Sequence, residues 1–198
     1  MKKLLAAALV LLCSIALAQT SAPTQRLRGV VKSFDGATLV LAERSGEVVT
    51  LALADTFSIS EVTAIEPAAI RAGSFVGIGA APGIDGTLSA LEVLVFPEAA
   101  RGTGEGHYPW DLQPGSTMTN ATVAELATTP QGRSLRLRYK DGEKTVVVPD
   151  NVPIVTFKPG DRALLVAGAK VLVTAQLRDG KPTALRALAG RNGFAPPM

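Results

Sequence analysis

The run AAIRAGSFVGIGA (68–80) is echoed without a gap by ALLVAGAKVLVTA (163–175), which sets Gly73 on Gly168, Val76 on Val171 and Ile78 on Val173. At the same spacing Asp55 meets Asp150 and Ile59 meets Ile154. Further along, DGTLSALEV (85–93) meets DGKPTALRA (179–187) one residue out of step, and the pair Ser45-Gly46 meets Asp141-Gly142. Ordered agreement over most of each half reads as an internal repeat, and a repeat sets the architecture before any single element is placed.

Within each copy the apolar period is two. Leu135, Leu137 and Tyr139 alternate with Arg136, Arg138 and Lys140, the pattern of a strand with one buried and one wetted face. Asp141-Gly142 suits a tight hairpin because both residues tolerate positive φ, and Thr145 to Pro149 is the return strand. The first copy repeats the plan with Leu39 and Leu41, the Ser45-Gly46 turn, then Val49, Leu51 and Leu53. EVTAIEPAAIRAG (61–73) and PGDRALLVAG (159–168) each suggest a helical turn or short helix stopped by glycine. Two strands follow in each copy, broken at Asp85-Gly86 and Asp179-Gly180. Three strands, a short helix and two strands is the order of an OB-like five-stranded barrel, and a related barrel with an extra short strand at Phe57 to Ser60 fits as well. The expected fold is therefore all-β with short helical turns, a tandem duplication of a small OB-like five- or six-stranded β-barrel whose copies pack together. Each copy alone is small enough to be marginal. Phe34, Phe57, Phe75, Phe96 and Phe157 fall in or beside the strands and read as core.

The expected organisation is a signal peptide over 1–18, a first barrel repeat over 19–96, a connecting loop over 97–118, a second repeat over 119–190 and a frayed tail over 191–198. The start, MKKLLAAALVLLCSIALAQT, joins two lysines to a short apolar run and the triplet Ala16-Leu17-Ala18, which predicts export and cleavage near Ala18. Leu12 stands where a lipobox before Cys13 would need a small residue. Removal of that segment leaves no cysteine, hence no disulfide and no thiolate ligand. Without Lys2 and Lys3 the 20 basic residues fall to 18 against 17 acidic ones, too even a balance to attract nucleic acid. No later stretch is long and apolar enough for a transmembrane helix.

The connector RGTGEGHYPWDLQPGSTMTN (101–120) holds the only His, the only Trp and one of two tyrosines. Its glycines and prolines disfavour regular structure over most of 97–116, and a long connector rich in large aromatics either folds back on the body or serves a site. In the first case Trp110, Leu112 and Tyr108 seat themselves across the seam between barrels. In the second, Glu105, His107 and Asp111 converge with Met118 as a soft ligand for a metal ion, although a solitary imidazole is a thin set for zinc. A catalytic grouping of Ser116, Asp111 and His107 has only nearness in sequence behind it, and GTGEG lacks the ending of a phosphate loop. Arg136 and Arg138 are candidate ligand contacts on the strand face that OB-like barrels use, without stacking aromatics beside them. Asn120-Ala121-Thr122 matches a glycosylation sequon.

The signal pattern, the DG-punctuated repeats and the segment FPEAARGTGEGHYPWDLQPGSTMTNATV together resemble a family of uncharacterised exported bacterial β-barrel-repeat proteins. Members often carry the label metal ABC-transporter permease. The resemblance implies export and a link to metal transport, whereas a permease needs several spanning segments. The function expected from the residues is a non-enzymatic periplasmic or secreted binding or adaptor protein, with His107, Tyr108, Trp110, Asp111, Arg136 and Arg138 as candidate contacts to an envelope protein or small ligand. The alternative is a periplasmic metal-handling accessory protein centred on His107. No cofactor other than such a metal is expected.

Overall fold

The computed structural model describes residues 22–83 and 87–197. The expected signal peptide, its cleavage position and the Asp85-Gly86 turn lie outside the described residues. Within them the chain is almost all β, and its helical content is three single 3-10 turns. No helix among them is long and apolar enough to cross a membrane. The strands are β1 (Thr24–Phe34), β2 (Thr38–Glu43), β3 (Val48–Ala64), β4 (Phe75–Pro82), β5 (Leu88–Val95), β6 (Gly106–Pro109), β7 (Thr117–Thr129), β8 (Gly132–Tyr139), β9 (Gly142–Val148), β10 (Ile154–Pro159), β11 (Lys170–Arg178) and β12 (Lys181–Ala189).

Five of them close into a barrel. β1 pairs with β2 and β11, β2 with β3, β3 with β12, and β12 with β11. A second ring runs β4, β7, β8, β9 and β5, and its closing contact is the short parallel ladder of Leu88 and Ser89 on Val146 and Val147. Each ring thus takes three strands from one half of the chain and its last hairpin from the other. Neither half of the chain closes a ring by itself, as separate barrels would require; each contributes strands to both.

The exchange follows from β3. Instead of turning back after its first ring contacts, β3 runs on for 17 residues, a reach of about 55 Å for straight strand. Its last residues pair antiparallel with β10, Ser60 opposite Pro159 and Ala64 opposite Val155. A 3-10 turn at Pro67–Ala69 and Gly73, at φ +85°, then deliver the chain into β4 of the second ring. The second half crosses the other way, with Asp161 capping the 3-10 turn Arg162–Leu164 and Gly168 at φ +86°. The turns dock alike: Gly73 N–H donates to Val123 O and Gly168 N–H to Val31 O, each at 2.8 Å. The crossing strands differ in one respect. Pro149 and Pro153 lack the N–H groups a ladder needs, so β9 and β10 are separate, while Ala54 and Ser58 at the matching places leave β3 unbroken.

Three cores result. Val31, Leu39, Leu41 and Leu51 fill the first ring together with Val171 and Val173 from the other half. Val123, Leu135, Leu137 and Val146 fill the second with Val76 and Ile78. Between the rings Val62, Leu94, Val155 and Leu172 form a seam cluster, against which Phe96, Phe157, Leu188 and Phe194 pack half-buried. Phe96 and Phe157 are therefore seam residues more than barrel core. Phe194 also corrects the expectation of a frayed tail: its N–H donates to Arg191 O at 3.0 Å, its ring closes on Gly190, and Pro196 behind it is buried. Of the helical turn or short helix expected at 61–73 and at 159–168, each segment forms the single turn, a 3-10 turn, because Glu61 to Ala64 and Lys158 to Pro159 are committed to ladders.

Candidate functional site

The connector is more ordered than its glycines and prolines suggest. Glu98 and Arg101 pair through a bidentate contact of 2.6 and 2.7 Å, and Arg101 also donates to Gly73 O, tying the connector to the start of β4. After turns at Gly102 and Gly104 the short edge strand β6 pairs with β7, ending at Pro109 opposite Thr117, a strand end where the missing N–H of proline is tolerated. Ser116 closes the next turn: its hydroxyl donates to the carbonyls of Trp110 and Gln113.

Strand alternation in β6 sends His107 and Tyr108 to opposite sides. The His107 ring stacks on Tyr139 with 6.3 Å between centroids, and its Nδ1 lies 2.9 Å from the Thr119 hydroxyl. Burial, with the Lys144 charge, holds the imidazole below the usual histidine value and so favours its neutral form. Tyr108 instead faces the seam, where its hydroxyl accepts from Asn120 Nδ2 at 3.1 Å and its ring lies edge-on to Trp110. Burial raises the Tyr108 pKa, and the charges of Arg26 and Arg186 oppose that rise.

Trp110 spans the two rings. Arg26 of β1 lies over its indole face, 3.8 Å from the centroid. The next residue, Asp111, is held by Arg28 at 2.8 Å and by Arg26 at 3.5 Å. Burial works to raise the Asp111 pKa, but the hydrogen bond from Arg28 and the two arginine charges outweigh it and keep the carboxylate ionised. Beneath this pair lies Glu92 of β5, 1% exposed, with neither carboxyl oxygen at full hydrogen-bonding geometry to any described group. Burial pushes its pKa up to about 7, against the Arg28 charge and the nearby Trp110 indole N–H.

Above the seam cluster these elements leave a cavity of about 330 Å³. Phe96, Phe157, Leu94 and Leu188 supply apolar wall, Tyr108, Trp110 and Met118 bound one side, and Arg26, Thr174 and Arg186 bound another. Gly77 forms floor: a Cβ there would come within 2.6 Å of Asn120 Oδ1 and 3.0 Å of Phe96. Asn120 is 7% exposed and donates to Thr103 O as well as to Tyr108, so the sequon is closed in the folded chain.

Of the candidates named from sequence, Tyr108 and Trp110 reach the cavity and Asp111 anchors its arginine edge. His107 belongs to the opposite side of β6. Arg136 and Arg138 lie on an exposed face of the second ring, paired with Glu125 and Glu143. The set Glu105, His107, Asp111 and Met118 is not brought together: His107 turns to Thr119 and Tyr139, Asp111 to two arginines, and Met118 to the cavity wall. Among the described residues no three His, Cys, Asp or Glu side chains are grouped as a metal site. Sequence reasoning overlooked Arg26, Arg28, Glu92 and Arg186. Arg26-Leu27-Arg28 is the same alternation as Arg136-Leu137-Arg138, and Glu92 and Arg186 occupy matching places in DGTLSALEV and DGKPTALRA. No protein-family model, curated protein or solved structure matches the chain.

Proposed function

We propose that this chain is an exported, non-enzymatic binding protein that holds a small molecule in the seam cavity between two interlocked barrels, the product of a tandem duplication. The cavity of about 330 Å³, walled by both rings and the connector, carries the reading. It is concave, largely apolar and supplied with a few convergent polar groups, the usual composition of a small-molecule site. The charge and apolar pattern of the first 18 residues supports export. Matching residues 94 to 96 apart support the duplication.

Two features favour binding over catalysis and over a protein partner. The serine hydroxyls at the cavity, Ser58 and Ser60, have no histidine or carboxylate beside them in its lining, so a nucleophile would lack its base. The connector aromatics Tyr108 and Trp110 turn inward, where they shape the cavity, and leave no aromatic anchor facing outward. Native mass spectrometry of protein purified without denaturation tests the reading. The wild-type chain should retain a small molecule that Ser60→Phe, which fills the cavity, loses while keeping its melting temperature. Retention by both proteins, or by neither at saturating extract, would contradict a seam site.

A further inference from the structure

The outer face of the first ring carries a row of side chains across four strands. Arg26 on β1 pairs with Thr174 on β11, Thr174 with Arg186 on β12, and Arg186 with Ser58 on β3. All four residues line the seam cavity. Two strand spacings separate the arginines, roughly 10 Å of backbone, a gap that two long side chains span from either side. Arg186 is fixed by its Nε donating to the Thr174 hydroxyl at 3.1 Å, and no described carboxylate pairs with it. Arg26 is fixed by the Trp110 face, and its one acidic neighbour, Asp111, is shared with Arg28. The cavity lining holds two arginines and no acid.

The second ring shows what such a row accepts. Its matching row is Met118, Gly79 and Glu92, again on adjacent strands. There the connector lies over the sheet: a Cβ on Gly79 would sit 3.1 Å from Leu112 Cδ1, and Trp110 lies beside Glu92. The chain thus covers Gly79 and Glu92 of one row with its own leucine and indole side chains, followed by a carboxylate held between arginines, and in the other row covers only Arg26, leaving Thr174, Arg186 and Ser58 facing the cavity.

Resting on the reading of the seam as a small-molecule site, we propose that its ligand is an organic acid, a carboxylate on an aromatic or aliphatic body, with the carboxylate between Arg26 and Arg186 and the body against Phe96 and Phe157. Planar guanidinium groups held by stacking or by a hydroxyl are suited to carboxylate recognition, since little ordering remains for the ligand to impose. At the density of a protein interior a cavity of about 330 Å³ has room for about 17 non-hydrogen atoms, enough for an acid of this kind.

Calorimetric titration of the full exported chain with 4-phenylbutyrate, decanoate and the neutral isostere 4-phenylbutyramide tests this, with Trp110 fluorescence as a second readout. One saturable site is expected, at least tenfold tighter for phenylbutyrate than for its amide. Arg186→Gln should weaken the acid about tenfold and leave the amide unchanged, with part of the loss restored by Arg186→Lys. Equal binding of acid and amide, or a preference that survives Arg186→Gln, overturns the acid assignment while the cavity reading stands. Failure of all three probes to bind overturns it too, and the native mass spectrum then shows whether the cavity reading falls with it.

Discussion

Val62 and Phe157 stand opposite each other at the centre of the ladder between β3 and β10. They are also matching positions in the two halves, at the spacing that relates Gly73 to Gly168. Equivalent segments that pair with each other this way place a local twofold relation on the seam, so each crossing strand is both the path out of one ring and part of the wall of the cavity. The rings cannot be pulled apart without breaking backbone ladders, which offsets the small core each would have alone.

Glu92 makes stability depend on pH in a defined direction. Its folded pKa of about 7 lies above the ordinary value of 4.5, so the folded chain holds a proton that the unfolded chain has released between those limits. Stability contributed by the neutral carboxyl is complete below pH 4.5 and is lost as pH rises through 7, an effect of about 3 kcal/mol for a buried acid. Glu92→Gln should remove most of this slope. Chemical denaturation at pH 5 and pH 8 reads it, and a slope unchanged in the variant would mean that other groups carry it.

Trp110→Ala should cost about 2 kcal/mol at pH 5 through lost burial and the lost Arg26 contact. At pH 8 the cost should be smaller, because opening the connector relieves the burial of an ionised Glu92, the largest influence on it, and this outweighs loss of the indole N–H that favours the carboxylate. The same denaturation series read by circular dichroism gives both values. Equal costs at the two pH values would uncouple Trp110 from Glu92.

Arg136→Ala with Arg138→Ala should leave the melting temperature nearly unchanged and ligand retention intact. These side chains are exposed, and their partners Glu125 and Glu143 lie on the same wetted face. Loss of the retained molecule in this double variant would move the binding face from the seam to the second ring.

The alternation of Leu135, Leu137 and Tyr139, the Asp179-Gly180 pair and the two glycine-stopped turns were enough to read an almost all-β chain with a five-stranded barrel. Asp179 and Gly180, at φ +48° and +73°, make the two-residue hairpin their types suggest. The exchange of hairpins was not legible, because matched halves offer identical partners: Val31 and Val123 present the same edge to β4 or to β11. The site was half legible. Trp110 and Tyr108 stand out by rarity, whereas Arg26 and Arg28 differ from Arg136 and Arg138 only in which face the connector covers. Glu92 looks like any strand carboxylate until Trp110 and Leu112 close over it.

The exchanged topology is most directly tested by a disulfide. Val30 of β1 pairs with Lys170 of β11, and the chain outside its first 18 residues has no cysteine to compete. In the double variant Val30→Cys with Lys170→Cys, oxidation of the folded protein should give a quantitative crosslink, read as a mobility shift and an intact-mass loss, since facing residues of a ladder meet the required Cα spacing. Little crosslinking there, with efficient crosslinking of Val30→Cys with Phe75→Cys instead, would show each half closing its own barrel and would contradict the interlocked fold.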